Sequence, residues 1–210
     1  GQYVERSTQF HNSNATLTLK VEGQGIGSRT GLNIPNGAIA SVDTLLLTAP
    51  YGTMETTHVL IDDLYVTDGP TLGEHKVTSL YPDGDVSVSF TRSGGASNFS
   101  NVNQPVADIG SYVSGSVVGD IDEYSLTNFP LVPDSISAVQ LTTLARKTDA
   151  SDRAVRLKLK SGGVEAVGPN FGLLSTYRRF AHIVENSPAT AVDFTAAELN
   201  ASTISVEVVV

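Results

Sequence analysis

Apolar and polar side chains alternate at every second position in several parts of this chain. Leu17, Leu19 and Val21 alternate with Thr18 and Lys20, and Val86, Val88 and Phe90 with Ser87 and Ser89. Val155, Leu157 and Leu159 alternate with Arg156, Lys158 and Lys160, and Ile204, Val206 and Val208 with Ser205 and Glu207. Successive side chains of a β-strand point to opposite faces, so each run predicts a strand with one face on a core and the other in water. Val, Thr and Ser dominate these stretches, which favours strands over helices. Turn signals separate them at Asn36-Gly37, Asp68-Gly69-Pro70, Pro82-Asp83-Gly84-Asp85, Ser93-Gly94-Gly95 and Ser161-Gly162-Gly163. The last of these predicts a tight hairpin joining 155–160 to 164–167. Strands at this spacing predict an all-β fold, an antiparallel β-sandwich or barrel.

One short helix interrupts the strand pattern. Thr195 is placed to cap it, and Glu198, three residues on, to return a bond to the Thr195 amide. Phe194 and Leu199 stand where a hydrophobic staple would sit, so one or two helical turns lead into a final strand over 203–210. At the other end, strands are expected over 3–10, 16–22, 44–47 and 57–66. A boundary at Asp68-Gly69-Pro70 divides the chain into an N-terminal β region, 1–68, and a β-sandwich domain, 69–210. Four short strands can hardly close a core alone, so the first region reads as a partial sandwich that needs a cover. The chain does not open on Met, and two explanations stay open: a shortened sandwich, or further residues before Gly1.

Composition narrows the function classes. The 210 residues carry a formal net charge of -9, which argues against a nucleic-acid surface built on clustered Lys and Arg. The cations that do cluster, at Arg146–Lys147, Arg153 to Lys160 and Arg178–Arg179, read as strand faces and loop ends in water. Cysteine is absent, so stability must come from packing without disulfides or thiolate metal sites. No apolar run approaches the roughly 20 residues of a helical membrane span, and no membrane insertion is expected.

Candidate chemistry is sparse. Gly23-Gln24-Gly25-Ile26-Gly27 invites a phosphate-loop reading, but the following Ser28-Arg29-Thr30-Gly31 does not open a helix, so a plain loop is expected. The carboxylate groups Asp62–Asp63, Asp83–Asp85 and Asp120–Asp122–Glu123 lack the spacing of a calcium loop. Asp83-Gly84-Asp85 reads as a turn, and Asp120 and Asp122 as the start of a strand. His11, His58, His75 and His182 are scattered, and no Gly-x-Ser-x-Gly elbow accompanies the many serines. No catalytic residue, cofactor or metal ligand is therefore assigned.

Ile61-Asp62-Asp63-Leu64-Tyr65-Val66-Thr67-Asp68-Gly69 resembles the last strand of the laminin-G-like, concanavalin-type jelly rolls of tailed-bacteriophage particle proteins. A further series follows the order of the segment after that jelly roll. It runs through Leu80-Tyr81-Pro82-Asp83-Gly84, Asn98-Phe99-Ser100-Asn101-Val102-Asn103, Tyr112-Val113-Ser114 and Val118-Gly119-Asp120-Ile121-Asp122-Glu123-Tyr124. It continues through Ala138-Val139-Gln140-Leu141, Ala145-Arg146-Lys147-Thr148-Asp149, Lys160-Ser161-Gly162-Gly163 and Pro188-Ala189-Thr190, to Phe194-Thr195-Ala196-Ala197-Glu198-Leu199-Asn200. Phe194 stands where the family usually has Trp, and the Gly usual in the closing strand is missing. The resemblance implies a non-enzymatic structural protein located in the virion, on head or tail. Its expected partners are copies of itself in a homo-oligomer and other virion proteins. A carbohydrate-binding module that attaches to a host surface glycan is the alternative, with Tyr51, Asn98, Phe99, Asn101 and Asn103 as the contact residues. A polysaccharide-degrading enzyme is the third and weakest reading.

Overall fold

The computed structural model describes the backbone of residues 4–9, 15–21 and 24–32, and residues 75–133 and 135–210 in full. Internal contacts divide the chain into two units, Gly1–Thr78 and Ser79–Val210. The boundary expected at residues 68/69 lies outside the described residues.

In the first unit, β1 (Val4–Gln9), β2 (Ala15–Val21) and β3 (Gln24–Leu32) form an antiparallel sheet in that order. Val4 pairs with Val21 and Gln9 with Thr16, a regular register. The third strand is a correction, because its glycine-rich start was expected to be a loop. Its pairing with β2 shifts register twice, between Ala15 and Leu17 and between Leu19 and Lys20. Such irregularities are where glycine is tolerated inside a sheet, so the glycines mark bulges in a strand. The strands expected over 44–47 and 57–66 lie outside the described residues.

The second unit is an antiparallel β-sandwich. Its strands are β4 (Pro82–Ser87), β5 (Thr91–Arg92), β6 (Val113–Ser114), β7 (Ile121–Leu126), β8 (Val139–Ala145), β9 (Ala154–Ser161), β10 (Val164–Val167), β11 (Phe171–Gly172), β12 (Arg178–Val184) and β13 (Thr203–Val208). The main sheet runs β10-β9-β13-β7-β4, with β11 also paired to β9. A ribbon of β8 and β12 supplies the opposing layer, and β5 pairs with β6 in a short separate ribbon. Between the layers lie Leu141 and Val184 from the ribbon, Leu157 and Leu159 from β9, and Phe194 and Leu199 around the helix. Ile204 and Val206 pack against them. Leu157 pairs with Val206 and Leu159 with Ile204, so the two alternating runs lie side by side with their apolar sets on one face.

The hairpin at 161–164 is as expected. Ser161 pairs with Val164, and Gly162 and Gly163 have φ of 56° and 83°, the left-handed pair that a two-residue hairpin turn requires. The helix α1 (Ala196–Asn200) is also as expected, with the Glu198 N–H donating to Thr195 Oγ1 at 3.1 Å. Its Leu199 and the preceding Phe194 are both buried.

Three further expectations fail. Val86 and Val88 are half exposed, and only Phe90 of that run is buried. Asp83-Gly84-Asp85 is no turn but part of β4, whose pairing with β7 is broken by two register shifts. The bulges destroy the strict alternation of faces, and the strand ends at Ser87 before the run is complete. The third failure concerns the charged set of β9. Arg156, Lys158 and Lys160 were expected to face water, but Lys158 is only 8% exposed, as is Glu207 on β13.

Leu159 is fully buried, so Leu159→Ala is expected to destabilise the protein by about 2–5 kcal/mol through lost contacts and a residual cavity. Val86→Ala, at an exposed position, should change stability by no more than about 0.5 kcal/mol. Chemical denaturation of the two variants measures both.

Candidate functional site

Five residues were expected to form a glycan-contact region: Tyr51, Asn98, Phe99, Asn101 and Asn103. Tyr51 lies outside the described residues. The others lie in or beside a single turn of 3-10 helix, Phe99–Asn101, in the long connection between β5 and β6. Main-chain groups freed where β4 ends must find partners elsewhere, and two aspartates provide them.

Asp122, on β7, is fully buried. Its Oδ1 accepts the backbone N–H groups of Ser89 and Phe90, both at 2.8 Å. Its Oδ2 accepts Asn98 Nδ2 at 2.6 Å and the Tyr124 hydroxyl at 2.8 Å. Four donors converge on one carboxylate, the arrangement that makes a buried negative charge tolerable. Burial, and then the bond to Asp122, push the Tyr124 hydroxyl well above the usual phenol range. Asp85, on β4, holds the other side of the turn. Its Oδ2 accepts the Asn98 N–H at 3.0 Å and its Oδ1 the Phe99 N–H at 2.6 Å.

Asn98 is consequently a structural clamp. It is 0% exposed, and its Nδ2 reaches the Phe90 carbonyl at 3.0 Å as well as Asp122. Asn101 is buried too, with Nδ2 donating to the Gly94 carbonyl at 3.2 Å. A Cβ on Gly95, where φ is 61°, would lie 2.5 Å from Asn101 Oδ1, so glycine is needed there for space as well as conformation. Phe99 and Asn103 are half-buried. The structure thus gathers four of the five residues, but it commits two of them to the interior.

Two further carboxylates of the predicted clusters are also bound to their surroundings. Asp120 Oδ2 accepts the Val117 N–H at 3.0 Å and closes the turn before β7, and Asp83 Oδ1 accepts the Ser125 hydroxyl. Asp62 and Asp63 lie outside the described residues, as do His11 and His58. Among the described residues, no three His, Asp or Glu side chains are grouped to hold a metal ion.

Two clusters were not anticipated. Arg156 Nε donates to Glu207 Oε2 at 2.7 Å and its Nη2 to Oε1 at 3.0 Å, while Lys158 Nζ lies 2.9 Å from Oε2. The fork of the Arg156 guanidinium holds the Glu207 carboxyl down to about 2 against its desolvation, with Lys158 adding to the effect. Lys158 also approaches Glu165 at 3.3 Å, and Lys160 approaches Glu123 at 3.5 Å. The signal in the sequence was opposite charge on the polar positions of two alternating runs, but their partnership required the register Arg156↔Glu207.

The second cluster centres on Glu198. Its Oε1 accepts the hydroxyl of Ser161 at 2.6 Å and also that of Ser187, and both serines are buried. These two bonds hold the Glu198 carboxyl below its ordinary range, with a smaller contribution from the Thr195 amide. The carboxylate therefore joins hairpin tip, loop and helix. With Ser187 also accepting the Ala189 and Thr190 N–H groups, it is an architectural joint.

No protein-family model, curated protein or solved structure matches the chain.

Asp122→Ala should cost about 3 kcal/mol, because buried donors lose a charged acceptor. Amide exchange at Ser89 and Phe90 should accelerate, and an unchanged exchange rate there would count against the clamp. Glu207 has a pH signature. Its folded-state value lies below the ordinary 4.5, so its stabilisation is complete above about 4.5 and is lost as pH falls toward about 2. Denaturation midpoints between pH 6 and 2 should show Glu207→Gln less acid-sensitive than the wild type.

Proposed function

We propose that this chain is a non-enzymatic structural component of a tailed-phage particle, attached to head or tail and acting through protein–protein surfaces. The exposed apolar side chains carry the proposal. Val106 is 82% exposed, and the adjacent pair Leu131 and Val132 are 78% and 80% exposed. Val117, Val118 and Ile109 are also mostly exposed. Several of these residues are neighbours on loops, and apolar surface of this kind is expected where another protein settles. The order of segments shared with phage particle proteins supports the same reading. So does the way the best-placed polar residues are used: Asp85, Asn98 and Asp122 are occupied in holding the fold together. Homo-oligomers and neighbouring virion proteins are the partners this reading implies, since repeated copies turn weak contacts into firm attachment.

The alternative reading, attachment to a host surface glycan through the 98–103 turn, loses two of its contact residues to the interior. It retains Phe99, Asn103 and Tyr51.

Immunogold labelling of phage particles with antibody against the chain should place gold at a fixed position on head or tail. Recovery of the chain only from particle-free lysate would sink the proposal. Independently, replacing Leu131 and Val132 together by Ser should leave the melting temperature within about 2 °C of wild type. Incorporation of that variant into particles should fall. Normal incorporation would show that this pair is no contact.

A further inference from the structure

The register of β8 and β12 brings together two basic pairs that are 31 or more residues apart in sequence. Arg178 pairs with Ala145 and Arg179 with Leu144. One step further, the same register sets Tyr177 opposite Arg146. There the Arg146 guanidinium lies 4.7 Å from the centre of the Tyr177 ring, held in a cation–π contact. Alternate residues of the ribbon face the core: Leu141 and Val184 are buried. The other set points outward: Gln140, Thr142, Leu144 and Arg146 on one strand, and Arg179, Ala181 and Ile183 on the other. All seven are exposed. Across 139–147 and 177–184 the ribbon holds Arg146, Lys147, Arg178 and Arg179 and no Asp or Glu, within a chain of net charge -9. Among the described residues no carboxylate pairs with Arg146, Arg178 or Arg179.

A carboxylate does stand at the other end of the same face. Glu185 follows Val184, has the outward parity of Ile183, and is exposed. Ala181 is the midpoint: Tyr177 lies four residues before it and Glu185 four residues after it. Opposite Ala181 is Thr142, so the middle of the face is small on both strands.

From this arrangement we propose that the outer face of the β8–β12 ribbon is a self-complementary contact between two copies of this chain. The inference rests on the assembly reading above and names its surface. A two-fold axis through the Ala181–Thr142 level, lying in the interface and perpendicular to the strands, lays each ribbon antiparallel on its copy. The basic end of one then meets Glu185 of the other, twice by symmetry, as an isologous contact requires. Arg179 and Leu144 on one copy come to the level of Ile183 and Gln140 on the other, and the small central residues let the sheets approach to about 10 Å. Arginine, tyrosine and aliphatic side chains on one face are the composition of a protein contact. The Tyr177 ring already lies under Arg146, so that face of the ring is not open to stack on a sugar. Fourteen ribbon positions span only about 24 Å by 10 Å, well short of the roughly 800 Å² per partner of a stable complex. The contact is therefore weak and salt-sensitive, suited to an array in which it is repeated.

The test is a charge exchange in the full chain, read by sedimentation equilibrium at low salt up to about 1 mM, a concentration set by the weak affinity expected of so small a face. The wild type should self-associate, and raising the salt to about 0.5 M should disperse it. R146E/R179E and, separately, Glu185→Arg should each weaken association about ten-fold, because like charges then meet at both ends. An equimolar mixture of the two variants should associate as the wild type does, since both ends are then matched. Ala181→Lys, on the axis and exposed, should abolish association without altering the circular dichroism spectrum. A monomeric wild type overturns the proposal, as does association indifferent to these changes or a mixture that fails to recover. If the wild type is monomeric and binds soluble heparin through Arg146 and Arg179, the face takes an acidic polysaccharide instead. None of these results depends on immunogold labelling, so a failed contact leaves the structural role standing, and a chain missing from particles removes that role whatever the exchange shows.

Discussion

A strand with neighbours on both sides cannot turn its polar positions freely into solvent, and β9 is such a strand. Its apolar set fills the sandwich core, and its cationic set lies on the other face of the main sheet, hemmed in by β10 and β13. Lys158 is left almost without water, so the fold requires a negative charge on β13 within its reach, diagonal to the Ser205 that faces it. Glu207 supplies it, gripped by both Arg156 and Lys158. Such buried pairs add little net stability over apolar replacements, but they are costly to break. In a sheet they also penalise a slip of one residue, which would bring apolar side chains to face the charges.

The same reasoning explains the connection after β4. A bulged edge strand leaves main-chain N–H groups at its end, and the nearest rigid acceptor is Asp122 on the neighbouring strand. One carboxylate thus substitutes for the ladder bonds that Ser89 and Phe90 would otherwise have made, while Asp85 does so for the turn at 98–99. A cluster of Asn and Asp that could suit a sugar is here a replacement for secondary structure.

Much of the fold was legible where local chemistry decides it. The Gly162–Gly163 hairpin needs left-handed backbone at both positions, and the helix needs Thr195 and Glu198 at a fixed spacing; both features can be read from a few residues. The alternating runs at 155–160 and 204–208 were legible for the same reason. What was not legible depends on partners. The glycine-rich β3 is a strand because β2 offers it a bulged register, and the run from Val86 to Phe90 fails because β4 is itself bulged. Whether Lys158 faces water depends on the presence of β13. Whether Asn98 is a contact residue or a clamp depends on Asp122, 24 residues away and fixed by a different sheet pairing.

The strand order of the main sheet also constrains how the second unit is made. β13 lies between β7 and β9, yet it is the last strand in chain order. Until residues 203–208 emerge during synthesis, β7 and β9 have no shared neighbour and each presents an open edge. The pairings that close the sheet join segments about 50 and 80 positions apart, as with Leu157 to Val206 and Ser125 to Thr203. Loop closure on that scale precedes any reward from packing, which makes for slow folding and a period of exposed strand edges. Partially made chains should be the aggregation-prone species, and a chaperone that shields strand edges would act before β13 inserts.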